Sequence, residues 1–241
     1  MPDPLMSSSP TPATPGRIHA LIPCAGSGSR AGTAQPKQYQ VIAGQTLVAH
    51  TLAAFSRVPR VQTVMVVVAP DDRTLQGQPG IVRAACGGGT RAETVRNGLR
   101  ALREGGAGAD DWVLVHDAAR CLVTPALIER LIDACAHDAV GGLLALPLAD
   151  TLKRSHEGRV AATVPREGHW LAQTPQMFRL GLLLQALEAA GSQVTDEASA
   201  IEQAGHSPLL VTGAARNFKL TWPEDFALAE SILAMDARTA P

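Results

Sequence analysis

The sequence predicts an α/β protein built on a mostly parallel β-sheet with helices on both faces. Two observations carry this. Apolar runs of strand length recur along the chain: "IHALIP" (18–23), "TVMVVVA" (63–69), "IVRAA" (81–85), "WVLVH" (112–116) and "GGLLALP" (141–147). Strands that read as near-continuous apolar runs are covered on both faces. Between them, "TLVAHTLAAFSRV", "RAETVRNGLRAL" and "TPALIERLIDAC" carry apolar residues at helical spacing. In such a sheet, ligands bind beyond the carboxyl ends of the strands. The loops after the first, third and fourth runs, "CAGSGSRAGTAQPK", "CGGGTR" and "DAARC", are therefore where a site is expected.

The helix starts are readable. Thr90 and Glu93 form a capping box, and Thr124 followed by Pro125 is an N-cap with proline in the first helical position. After Pro147 the alternation stops. The stretch to Phe178 mixes charge, Gly158 and β-formers, and it reads as an extended hairpin or arm, at about 148–173, too polar for the core. Two helices, "LGLLLQALEAA" and "DEASAIEQAG", then a strand-like "PLLVTG", follow. A second capping box, Thr221 with Glu224, opens a final amphipathic helix.

With 241 residues, 46% of them hydrophobic, the chain can bury a substantial core. Residues 17–241 read as a single domain. Residues 1–16, rich in Pro, Ser and Thr, read as a disordered tail without the apolar stretch of a signal peptide. The formal net charge of −1 provides no basic field for nucleic acid or an anionic membrane, and no apolar run reaches the length of a membrane span. Four separated cysteines without a CxxC pair suit a reduced, cytoplasmic protein.

The opening loop, residues 24–37, excludes two familiar nucleotide sites. Gly26-x-Gly28-x-x-Ala31 fits the loose dinucleotide pattern, but the acid that should bind the ribose some 20 residues on is missing, because no Asp or Glu lies between Asp3 and Asp71. That disfavours an NAD-binding oxidoreductase. A phosphate-binding loop of the G-x-x-x-x-G-K-[S/T] type fails because Lys37 follows Pro36, through which no helix runs. What remains is a glycine loop whose backbone approaches phosphate oxygens, with Arg30 and Lys37 supplying charge from its two ends, or else a surface turn with incidental basic residues. Asp117, just past a buried strand, is placed to face a metal ion or a substrate hydroxyl, and Arg120 to meet a second phosphate. His116 reads as a strand-end histidine rather than a base.

The ordered segments "AGSGSR…PKQY", "GGGTRAETV", "VLVHDAAR", "DTLKR", "TPQMF", "TDEASA" and "NFKLTWPED" resemble the 2-C-methyl-D-erythritol 4-phosphate cytidylyltransferase family of the non-mevalonate isoprenoid pathway. The resemblance implies a Rossmann-like fold with a protruding β-arm that pairs two subunits. It also implies transfer of CMP from CTP to methylerythritol phosphate with Mg²⁺, for which Mn²⁺ substitutes. Arg30 and Lys37 would stabilise charge on the triphosphate, and Arg166 and Lys219 would hold the attacking phosphate. Cys24, Ala25, Gly26, Gly28, Gly88 and Thr94 would contact CTP. Asp117, Arg120, Thr151, Thr174 and Thr195 would line the sugar-phosphate site, with Asp117 the one candidate metal contact. A sister enzyme acting on another polyol phosphate, such as ribitol 5-phosphate, would carry nearly the same segments. Cys24 and Cys121 stand where alanine and proline are usual, and both read as packing residues. Arg216 stands where an acid is common, so no metal-binding carboxylate is assigned there.

Overall fold

The computed structural model describes residues 16–26, 36–191 and 194–239. The tail expected over 1–16 lies outside them except for Gly16, as does the middle of the opening loop with Gly28 and Arg30. While β2 (Val41–Ile42) and β3 (Gln45–Thr46) make a separate short ladder, the expected sheet forms from β1 (Ile18–Pro23), β4 (Val61–Val67), β5 (Val82–Ala84), β6 (Trp112–Val115), β7 (Gly141–Pro147), β10 (Trp170–Arg179) and β11 (Leu209–Thr212). Their order across the sheet is β11-β7-β10-β6-β1-β4-β5, parallel throughout except for β10.

Strand alternation divides the core between the two faces. Ala20, Ile22, Val64, Val66 and Leu114 pack with Val48 and Phe55 of α1 (Leu47–Ser56) and with Ile128, Leu131 and Ile132 of α3 (Pro125–Cys135). Leu21, Met65, Val67, Val113 and Val115 face the other way. They pack with Val95 and Leu99 of α2 (Arg91–Glu104), Leu183 and Leu187 of α4 (Leu180–Ala190), and Ile201 of α5 (Glu197–Gln203). Gly98 brings α2 onto the sheet: a Cβ there would lie 2.6 Å from Val67 Cγ2 and 2.8 Å from Leu21 Cδ1. A smaller cluster docks α6 (Pro223–Thr239) through Ala229 against Leu47, Leu122 and Leu220, and so holds the segment containing Lys219 beside the sheet.

The capping box at Thr90 and Glu93 and the N-cap at Thr124 form as expected. The cap on α6 is displaced by one residue. Asp225, not Glu224, accepts from the backbone N–H groups of Thr221 (2.6 Å) and Trp222 (2.7 Å), while the Thr221 hydroxyl turns back to the Lys219 carbonyl.

The polar stretch after Pro147 divides into two parts. Strands β8 (Leu152–His156) and β9 (Arg159–Val164) make the expected exposed hairpin, closed by Glu157 and Gly158 at φ 49° and 74°. Such a pair suits the right-handed twist of its strands. The remainder corrects the expectation that this stretch avoids the core, because β10 is inserted between β6 and β7 and buries Gln173, Thr174 and Gln176. Each polar side chain is satisfied there. Gln173 donates to the Ala214 carbonyl (2.9 Å), Gln176 donates to Asp196 (2.8 Å), and Thr174 bonds to His116 (3.1 Å). Burial of a polar group costs little once its hydrogen bonds are made.

Candidate active site

The loops after β1, β5 and β6 meet at the carboxyl edge of the sheet and, with Lys37 and Lys219, enclose a cleft of about 430 Å³. Cys24, Ala25 and Gly26 form one wall, Gly88, Gly89 and Thr90 a second, and Asp117, Ala118 and Ala119 the floor. The first two walls touch at Gly87, where a Cβ would fall 2.2 Å from that of Ala25. Gln38, which the sequence reading passed over, braces the opening loop by donating to the carbonyls of Cys24 (2.8 Å) and Gly26 (3.0 Å). Thr94 braces the second wall. Its hydroxyl accepts from Gly88 N (3.1 Å) and donates to the Thr90 carbonyl (2.9 Å), so Thr94 shapes the loop and, with Gly88, lines the cleft.

Lys37 and Lys219 come together although 182 positions separate them. Lys37 begins a single 3₁₀ turn, Lys37–Tyr39, and its ammonium donates to the carbonyl of Leu220, next to Lys219. Lys219 in turn donates to Asp117 Oδ2 (2.7 Å). The other oxygen of Asp117 accepts from Arg91 Nε (2.8 Å), and the forked end of Arg91 grips Glu197 at 2.6 and 3.0 Å. Burial works to raise the Asp117 carboxyl pKa. Arg91 and then Lys219 outweigh it and hold the group well below the usual carboxylate range, so Asp117 is an anion at any working pH. Neither Arg91 nor Glu197 was anticipated as part of the site, although each lies inside a segment used for the resemblance.

Behind this cluster, the hydroxyl of Thr174 accepts from Asp117 N (3.1 Å) and lies 3.1 Å from His116 Nδ1, while His116 Nε2 donates to the Arg120 carbonyl (3.2 Å). Thr174 therefore reaches the cleft through the backbone of Asp117. Arg120 donates to the carbonyls of Asn217 (2.8 Å) and Ala172 (3.1 Å), tying the strand and the segment that flank the site. Thr195 shares a side pocket of about 80 Å³ with Arg91 and Glu197. Thr151 and Arg166 are exposed on the arm, Arg166 donates to the Ala149 carbonyl, and neither lines the cleft within this chain. Cys24 and Cys121 are buried thiols. Burial, then the Asp72 charge, pushes Cys24 above its ordinary value, and burial pushes Cys121 up to about 12. Neither is a nucleophile at neutral pH. Arg216 pairs with Asp236.

His116 yields a measurable consequence. Burial is the main cause that lowers its pKa from 6.5 to about 3, so the fold holds it neutral. That contribution to stability is complete above the unfolded value and is lost progressively as pH falls below about 6.5, by about 1.4 kcal/mol per pH unit. Asp117 and Asp111 add losses only below about pH 4, near the ordinary carboxylate value. Urea unfolding at pH 6 and pH 4.5 is expected to show this slope in the native chain and a flatter one in His116→Gln. Equal slopes would contradict the assignment.

Glycine backbone on two walls and lysine ammonium groups beside them suit a polyphosphate, so fold and site together define an α/β protein built to bind a nucleotide or a similar phosphate chain. Comparison with known proteins narrows that class. The chain belongs to the 2-C-methyl-D-erythritol 4-phosphate cytidylyltransferase family, whose model matches residues 18–235. It is 61% identical to a bifunctional enzyme IspD/IspF of Albidiferax ferrireducens, over 93% of this chain and 54% of that protein, so it spans about half the length of that relative. It is 55% identical to the 2-C-methyl-D-erythritol 4-phosphate cytidylyltransferase of Paraburkholderia phytofirmans, over 92% of this chain and 98% of that one. Among solved structures, a 4-diphosphocytidyl-2C-methyl-D-erythritol synthase superposes with a TM-score of 0.82 at 45% identity, covering 92% of this chain and all of the other. The Thermus thermophilus cytidylyltransferase gives 0.75 at 34% identity, with 90% and 99% covered.

Proposed function

We propose that this chain transfers CMP from CTP to 2-C-methyl-D-erythritol 4-phosphate, giving 4-diphosphocytidyl-2-C-methyl-D-erythritol and pyrophosphate. The observation that carries the reading is the meeting of Lys37 and Lys219, through the Leu220 carbonyl, over a cleft walled by two glycine loops. An oxygen of the acceptor phosphate forms the new bond to the α-phosphorus of CTP. The bond from that phosphorus to the β-bridging oxygen breaks, and pyrophosphate leaves with its electrons. Two anions must approach each other, so preorganised cations lower the barrier more than any base does. The nucleophile is already ionised, so no base is needed, and His116, next to Asp117 in the chain, is buried and held neutral. In this reading Lys37, together with Arg30 from outside the described residues, neutralises the triphosphate, and Lys219 receives the acceptor phosphate. Following pyrophosphate release with methylerythritol phosphate, with ribitol 5-phosphate and with no acceptor tests the assignment. Release is expected with the first alone, and equal release with ribitol 5-phosphate would contradict it.

Mg²⁺, with Mn²⁺ as a substitute, belongs to the same proposal. Among the described residues no group of three or more His, Cys, Asp or Glu side chains is built to hold a metal, and both oxygens of Asp117 already face cations. The residues present thus suit an ion held chiefly by phosphate oxygens, with Asp117 able to reach it by giving up one partner. Such an ion would supply charge neutralisation on the triphosphate. Exhaustive EDTA treatment is expected to abolish turnover and added Mg²⁺ or Mn²⁺ to restore it. Full activity in EDTA would refute the requirement.

The arm completes the proposal. Exposure of Arg166, Val160 and Leu171 supports a homodimer in which the arm reaches the neighbouring subunit's cleft. The four cysteines are free thiols, which suits a cytoplasmic setting. No described helix is long and apolar enough to cross a membrane.

A further inference from the structure

Four charges alternate in sign from the base of α5 into the cleft: Glu197, Arg91, Asp117 and Lys219. Glu197 is 1% exposed, and its backbone is pinned. Asp196 caps α5 by accepting from Ser199 N (3.0 Å) and also accepts from Gln176 Nε2 (2.8 Å), while Gln176 Oε1 takes the N–H of Ala198 (2.8 Å). The start of α5 is thus fixed to the inner strand β10. The two Glu197 oxygens occupy Nη1 and Nη2 of Arg91, which leaves Nε as the donor that meets Asp117. A bidentate pair of this kind fixes an angle as well as a distance. Asp117 then has one oxygen for Arg91 and one for Lys219.

We propose that Glu197 is a positioning residue for the transfer reaction, acting through Arg91 and Asp117 to set where the Lys219 ammonium stands. The inference rests on the proposed function, in which Lys219 receives the acceptor phosphate. With Glu197 neutralised, the fork of Arg91 is free to turn onto Asp117 and take both of its oxygens. Lys219 then loses its anchor. A misplacement of about 1 Å at a reacting group costs on the order of 10² in rate. The nucleotide walls are held by separate bonds, from Gln38 and Thr94, so CTP binding should be spared.

Steady-state kinetics on the full-length protein with both substrates varied test this. Glu197→Gln is expected to lower kcat/KM for methylerythritol phosphate ten- to hundredfold while the KM for CTP moves less than twofold, with Glu197→Asp, which keeps the charge, in between. Combining Glu197→Gln with Lys219→Ala should cost no more than Lys219→Ala alone, because the two act in series. A purely structural role would instead reduce the fraction of active enzyme, lowering kcat with both KM values unchanged, and the double variant would multiply the losses. Either result overturns the inference, as does acceptor kcat/KM within twofold of the native value in Glu197→Gln. If that variant fails to fold, Arg91→Lys, which keeps the charge and loses the fork, must show the same split between substrates. Unchanged acceptor kinetics in Lys219→Ala itself would count against the proposed function instead.

Discussion

Replacing Lys37 with alanine is expected to cut kcat by about 10² to 10³, or roughly 3–4 kcal/mol of transition-state stabilisation, the usual cost of one preorganised charge at a reacting centre. Pro36 ends any helical path into the loop, and the 3₁₀ turn that follows places Lys37 on the cleft. Its ammonium is held by the Leu220 carbonyl, so it is already oriented before substrate arrives. The same turn buries Gln38 and Tyr39, whose bonds to Cys24, Gly26 and Asp72 do not involve the lysine. The variant should therefore unfold at nearly the native temperature. A well-folded Lys37→Ala protein with normal turnover would remove Lys37 from the chemistry.

A comparably large effect is expected from the arm. Arg166 is outside the cleft of its own chain, whereas Lys219 lines it. If the arm crosses a two-fold axis, each site takes Arg166 from one subunit and Lys219 from the other. Arg166→Ala and Lys219→Ala should each be nearly inactive as homodimers. Unfolded and refolded together, they should pair at random so that about half the dimers are mixed, and each mixed dimer regains one intact site of two. Roughly a quarter of native activity should then return. Mass measurement shows whether mixed dimers formed. Their presence without recovered activity would mean that the arm serves its own subunit.

The covering of the sheet on both faces was legible because β6 is apolar and buried throughout, and the buried stretches of β1 and β4 are apolar on both faces apart from His19. β10 was not, since its buried Gln173, Thr174 and Gln176 look like loop residues until their partners, from Asn217 to Asp196, are brought across the chain. The described ends of the opening loop, residues 24–26 and Lys37, reach the cleft, and the signal for them was local: the glycines, Pro36 and the missing acids. The ion-pair chain could not. Arg91 and Glu197 are 106 residues apart, each in the first turn of a helix, where Glu197 reads as a favourable dipole partner and Arg91 as a surface residue. The available signal was that both fall in segments already singled out, "GGGTRAETV" and "TDEASA", next to Thr90 and Thr195.

In the proposed function, glycine walls and two lysines build a cytidine triphosphate site for transfer to a phosphate acceptor. Incubating the protein and methylerythritol phosphate with each of the four ribonucleoside triphosphates in turn, and following pyrophosphate release, tests it most directly. Release with CTP, at least tenfold faster than with ATP, GTP or UTP and absent without acceptor, is the predicted result. Equal release with all four, or release that does not depend on the acceptor, would contradict it.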